Sequence, residues 1–320
     1  MTFHFEHTTL IHADPMPASR NTVRAMLFEM GFGKVIKAGS LAEVREKLEE
    51  FPADLLICDL DLGDAEGDLC DLISAVRHGE QGTDPFVPVL ATCWEPDSEQ
   101  IQRVVNSGID GVRMLPLSSD RLGGAIETLV ERRRPFVVTS DYVGPDRRLV
   151  ARADDGTISG ITVPNSLRAK AKRIGEEASF KQCLETVNEQ KVERHAYQIA
   201  YLVHLICQHY RENQPGGGVA QHLERLRDVA LDLVQRIGVT KYAHQTDLCN
   251  SLVQVAEQVR ARIEVPRGQD LELLTQLSLA IEVAVRSDGT DAVAVALDIS
   301  DTVNKSLSRA SGPATVATAQ

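Results

Sequence analysis

Five short apolar runs, TTLIHA (8–13), KVIKA (34–38), DLLICDL (54–60), PVLATC (88–93) and GVRML (111–115), alternate with stretches whose apolar residues recur every three or four positions. Short continuous runs suit strands buried on both faces, and the longer period suits amphipathic helices, so the pattern predicts βα units around a parallel sheet. In ASRNTVRAMLFEMGF, Val23, Met26, Leu27 and Met30 share one helical face and Gly31 supplies the stop. SLAEVREKLEE opens on Ser40 with Glu43 three residues later, the spacing of a capping box. Five such units fit between Thr8 and Val130.

Past Glu131 the texture changes. Residues 131–173 hold five acids and ten bases among turn formers, which reads as a basic connector. Helical stripes follow. Val192, Ala196, Ile199, Val203, Ile206 and Tyr210 form one, and Val219, Leu223, Leu226, Ala230, Leu233 and Ile237 a second. Leu248, Leu252, Val255 and Val259 form a third, and shorter helices are predicted at 270–286 and 290–308. Each stripe needs a partner surface, so a bundle is expected, within one chain or between two. The expected organisation is a first domain over 1–132, a basic linker over 133–165, an all-α output or dimerisation domain over 166–310 and a disordered tail over 311–320.

Composition narrows the class. The chain has 320 residues, 43% apolar and 25% charged, with few aromatics, as a soluble globular protein does. MTFHFEHTTL has neither the basic start nor the apolar block of a signal peptide, and no apolar run approaches bilayer length, so a cytoplasmic location without membrane contact is expected. Cys58, Cys70, Cys93, Cys183, Cys207 and Cys249 show no CxxC or histidine pairing and read as reduced core residues. The net charge of -12 lies wholly in residues 1–130, with 22 acids and 10 bases, while the rest is balanced. Neither half has the basic excess that nucleic-acid binding requires.

The stretch LLICDLDLGD sets carboxylates at the end of a buried run. Ligands of open α/β sheets gather at the carboxyl ends of strands, where Asp14, Asp59, Cys93 and Leu115 are predicted to lie. Taken singly, Asp14 and Asp59 read as loop caps. Together they make a hard-oxygen site suited to magnesium, beside which a carboxylate can accept a phosphoryl group.

Residues 7–132 resemble the receiver (CheY-like) domain of two-component response regulators, through LIHADPMPASRNTVRAMLFEMGF, LLICDLDL, PVLATCWEP and SGIDGVRMLPL. The resemblance implies a doubly wound, flavodoxin-like α/β fold with a five-stranded parallel sheet, a family whose strand order is 2-1-3-4-5. It places the phosphoacceptor on Asp59 and a magnesium site on Asp14, Asp59 and the carbonyl of Asp61, with Asp59 lying 45 positions after Asp14 as in the family. Four positions depart from the pattern. The second acid of the metal pair falls on Pro15, the switch hydroxyl on Cys93, the phosphate-pairing lysine on Leu115 and the aromatic switch residue on Val112. Thr92 is adjacent to Cys93, but alternation along a strand sends neighbours to opposite faces. Each lost contact is worth on the order of a few kcal/mol in a water-poor site, so jointly they remove several decades of rate or occupancy.

The helical half carries no recognition helix, cyclase, ATPase or phosphohydrolase motif, so no enzymatic output is expected. His195 is the candidate for a phosphotransfer histidine, read against an ordinary polar rim position; the acid or amide plus proline of sensor-kinase helices is missing after it. Arg148, Arg152, Asp155 and Gly160 superficially resemble a cyclic-dinucleotide-binding pair of motifs within the basic linker, and Gly216–Gly218 read as a helix connection. The expectation is therefore an atypical bacterial receiver, weakly or not at all switched by phosphorylation. It acts as a homodimer through protein partners, among them a sensor histidine kinase. The alternatives are a magnesium-dependent regulator phosphorylated on Asp59 and a His195 phosphotransfer module.

Overall fold

All five apolar runs are strands: β1 Thr9–Ala13, β2 Lys34–Ala38, β3 Leu55–Asp59, β4 Val89–Cys93 and β5 Gly111–Met114. The computed structural model of the chain describes residues 3–65, 67–148, 160–212 and 218–286. The strands form one parallel sheet in the order β2-β1-β3-β4-β5. Helices α1 Pro17–Glu29, α2 Leu41–Glu50, α3 Leu69–His78, α4 Ser98–Asn106 and α5 Ser119–Glu131 connect them.

Strand alternation sorts the side chains onto two cores. Leu10, Leu55, Ile57 and Leu90 pack with Val23 and Leu27 of α1 and with Leu122, Ile126 and Val130 of α5. Ile11, Leu56, Cys58, Val89 and Ala91 pack instead with α2, α3 and Val104 of α4. Burial on both faces explains why the strands read as continuous apolar runs. At α2 the Ser40 hydroxyl accepts the Glu43 N–H at 3.3 Å, while the Glu43 carboxylate accepts the Gly39 N–H at 2.8 Å. The cap thus closes one residue earlier than the expected box.

The expected boundary at residue 132 is displaced. The first of two units spans Met1–Leu184 and the second Glu185–Gln320. Two further strands, β6 Phe136–Val138 and β7 Val143–Pro145, form an antiparallel hairpin, and Phe136 bridges Ile161. Helix α6, Ser166–Lys172, buries Leu167 and Ala171 in the α1–α5 core and so belongs to the first unit. The physical reason lies at Asp110, just before β5. Its carboxylate receives Arg77 at 3.0 Å and Arg133 at 2.7 Å, all three side chains being almost wholly buried. Arg77 also donates to the carbonyls of Gly108, Pro85 and Val87. Both guanidinium groups flank the buried Phe136 ring, at 5.1 and 5.0 Å from its centroid. Gly108 has φ +96°, and a Cβ there would lie 2.8 Å from Arg77 Cγ and 2.9 Å from the Val143 carbonyl oxygen. Arg147 closes the seam by donating to the Ile109 carbonyl. Most of the remaining connector, with Arg152, Asp155 and the motif around them, lies outside the described residues, as do Gly216, Gly217, the 290–308 helix and the 311–320 tail.

The second unit is helical and all three predicted stripes are inside it. Its helices are α7 Phe180–Arg211, which begins in the first unit, α8 Gly218–Ile237, α9 Thr246–Ala261 and α10 Gly268–Arg286. They enclose one core running from Val192 to Val285, so the stripes find their partners within the chain. All six cysteines are buried and free.

Candidate functional site

Asp59 is the last residue of β3, carried to the sheet edge by four apolar residues and buried there. Its Oδ1 accepts the Asp61 N–H at 2.9 Å, and its Oδ2 accepts the Thr92 hydroxyl at 3.0 Å. Asp59 and Thr92 are partners across the β3–β4 ladder, and register partners on parallel strands point to the same face. The hydroxyl at this acid is therefore Thr92, and the expectation that strand alternation turns Thr92 away is corrected. The alternation holds, but it is Cys93 that turns away. Its thiol, pushed up by burial and then by the charges of Asp59 and Asp61, lies 3.9 Å from the Arg113 carbonyl.

Asp14 follows β1 directly and is buried, with Oδ1 accepting the Met16 N–H at 2.7 Å. Arg20 donates to its main-chain carbonyl rather than to its carboxylate. Pro15 and Asp61 are exposed. Leu115, ahead of a cis bond to Pro116, is half-buried and holds the Cys93 carbonyl through its N–H at 2.7 Å. Val112 is half-buried against the α2–α3–α4 core. Burial pushes the Asp59 carboxyl up; the Asp61 N–H and the Thr92 hydroxyl oppose this, and Asp14 and Asp61 add to it. Asp14 and Asp61 thus set negative charge beside Asp59.

Two carboxylates at one edge repel, and a hard cation would relieve that. The donor set is nonetheless short. Both Asp59 oxygens and Asp14 Oδ1 already accept hydrogen bonds, Pro15 offers no side-chain ligand, and the described residues contain no group of three His, Cys, Asp or Glu able to hold a metal. Asp14 and Asp59 would offer a magnesium ion two carboxylates and Asp61 its carbonyl, each carboxylate oxygen keeping a free lone pair.

One buried group near this edge escaped sequence reasoning. His12 precedes Asp14 by two residues on β1, its Nδ1 is buried without a hydrogen-bond partner, and burial lowers it to about 4 against the pull of Asp14. Its signal was a lone polar residue inside LIHA.

His195 is not at a polar rim. It is buried, with Nε2 2.5 Å from Asp232 Oδ2, and Asp232 in turn receives Arg236 at 2.8 Å, which also donates to Asn188 at 3.0 Å. Burial lowers the imidazole, with Asp232 opposing. Burial acts upward on the Asp232 carboxyl, but His195 and Arg236 outweigh it and hold the group low. A ring nitrogen enclosed and paired in this way is not presented to a phosphoryl donor, and the described geometry counts against the phosphotransfer reading.

The 2-1-3-4-5 parallel sheet with helices on both faces is the flavodoxin-like, doubly wound fold that the resemblance to receiver (CheY-like) domains implied, and a buried acid closes its third strand. No protein-family model matches the chain. A curated relative, the transcriptional regulatory protein DpiA of Escherichia coli (strain K12), is 27% identical over 128 residues, 39% of this chain and 53% of that protein. The chain thus spans about half the length of the curated relatives it matches. Similar solved structures include Vibrio cholerae chemotaxis protein CheY4, at 22% identity and TM-score 0.34 over 38% of this chain and 96% of that one. Another is RcsB from Salmonella enterica serovar Typhimurium bound to promoter rprA, at 21% identity and TM-score 0.34 over 38% and 67%. No described helix is long and apolar enough to cross a membrane.

Proposed function

We propose that this protein is a cytoplasmic, non-enzymatic signalling regulator of the bacterial two-component type. Its receiver is weakly or not at all switched by phosphorylation, and its output runs through protein contacts of the receiver and the helical unit, in a homodimer. One observation carries the reading: among the described residues Asp59 is bonded to a backbone N–H and a hydroxyl and to no cationic side chain, while the acids Asp14 and Asp61 add to the burial that pushes it up. A phosphoryl group would bring about two more negative charges to a site that already disfavours one. With no cationic side chain bonded to Asp59 in this arrangement, such a group has little already in place to shift. The alternative, magnesium-dependent switching through Asp59, is favoured by the Thr92 hydroxyl already aimed at that carboxylate. The balanced charge of residues 131–320 supports protein rather than nucleic-acid partners.

Incubation of the full chain with acetyl phosphate and magnesium, followed by intact mass, tests this against Asp59→Asn. The expected result is slow, substoichiometric labelling or none. Rapid gain of one phosphoryl group with a change in oligomeric state would overturn the weak-switching reading.

A further inference from the structure

The β3–β4 and β4–β5 ladders place Asp59 opposite Thr92 and Thr92 opposite Arg113. Register partners on parallel strands share a face, so these three side chains form one row across the sheet edge. Asp59 and Thr92 are already bonded. Arg113 is half-buried on the edge strand β5, and its guanidinium folds back to the Val112 carbonyl at 2.8 Å, an exchangeable bond to its own strand. Two strand spacings separate the Asp59 and Arg113 backbones by roughly 10 Å. An extended arginine reaches roughly 7 Å and a carboxylate roughly 3 Å, so Arg113 swung along the row covers most of that gap and a group carried on Asp59 covers the rest.

We infer that Thr92 and Arg113 are the hydroxyl and the cation with which this receiver meets an anion on Asp59, set one and two residues upstream of Cys93 and Leu115. The inference rests on reading Asp59 as the regulatory acid. The chemistry is phosphoryl transfer from a small acyl phosphate. An Asp59 carboxylate oxygen forms a bond to phosphorus, the bond from phosphorus to the acyl oxygen breaks, and the carboxylate of the donor leaves with the electron pair. No proton moves. Negative charge then lies on oxygens beside Asp59, where Thr92 donates its hydroxyl and Arg113 exchanges Val112 for a bidentate partner. Both are positioning residues. Arg20, a second cation near this edge, donates to the Asp14 carbonyl.

The experiment follows acetyl phosphate labelling of the full chain by intact mass, over a range of donor concentrations, with and without magnesium. The variants are Arg113→Gln, Arg113→Lys, Thr92→Val, Thr92→Ser and Arg20→Gln, and circular dichroism melting confirms that each folds. The expected result is slow labelling of the wild type. Its maximal rate or adduct lifetime drops about tenfold or more in Arg113→Gln and Thr92→Val, and recovers in part in Arg113→Lys and Thr92→Ser, with the donor concentration for half-maximal rate little changed. If Thr92→Val does not fold, the arginine pair decides. Wild-type behaviour of Arg113→Gln, or loss in Arg20→Gln instead, overturns the assignment. So does a wild type that takes no label where an ordinary receiver does, which leaves the contact-only function standing. Fast stoichiometric labelling that still depends on Arg113 removes the weak-switching reading and keeps the assignment.

Discussion

Two buried aspartates sit at opposite ends of the same sheet and are treated in opposite ways. Asp110, before β5, is clasped by Arg77 and Arg133, and its Oδ2 also accepts the Val89 N–H at 2.9 Å. Asp59, at the end of β3, has a hydroxyl, a backbone N–H and two neighbouring acids. The first arrangement is what stability asks of a buried charge, since an unpaired one costs several kcal/mol. The second holds a charge with neutral donors alone, and a buried acid kept so is a candidate for a functional role. The difference teaches that burial alone does not separate structural from functional acids; the sign of the company does.

Breaking the clasp should have the largest effect. Arg77→Met or Asp110→Asn is expected to cost about 3–5 kcal/mol, because each leaves a buried group uncompensated. Urea unfolding followed by the fluorescence of Trp94, the chain's one tryptophan, reads this out in the receiver unit. The next effect is on pH. His12 is lowered from 6.5 to about 4, so the unfolded chain takes up its proton first. Its contribution is whole above pH 6.5 and drains as pH falls towards 4, by about 3 kcal/mol in all. His12→Leu should flatten receiver stability across that window. In the helical unit, Asp232→Asn takes from His195 and Arg236 the carboxylate they share and should cost about 2 kcal/mol by thermal melting of the helix signal, again a clasp broken. The smallest effect has the opposite sign. Asp59→Asn removes a charge that its surroundings disfavour and should leave stability unchanged or raise it by up to about 1 kcal/mol at neutral pH. Because the Asp59 carboxyl is pushed up, its ionisation costs stability as pH rises through 3.8, so the gain should vanish in acid. A loss comparable to that of Asp110→Asn would erase the contrast.

Much of the receiver was legible because its signals are local. Apolar runs, a cap at Ser40 and an acid closing a strand are all written within a few residues. Thr92 was misplaced because its facing depends on which residue it meets across the ladder, and one strand by itself does not carry that register. The Arg77–Asp110–Arg133 clasp joins positions 33 and 23 residues apart, and nothing in RRRPFVV announces that its second arginine is buried. For that reason the segment read as a linker. His195 was misread for a similar cause. It flanks the apolar stripe of α7, and only Asp232 on the next helix makes burial of an imidazole tolerable.

The hairpin has a consequence for heredity. The last of the five helices that connect the sheet ends at Glu131. In this lineage a recombination joint at that point would discard Arg133 and Phe136, leaving Asp110 half-paired and Arg77 without the ring it stacks upon. A breakpoint that keeps this packing must therefore lie downstream of the hairpin, and the unit that can be inherited intact is the longer one.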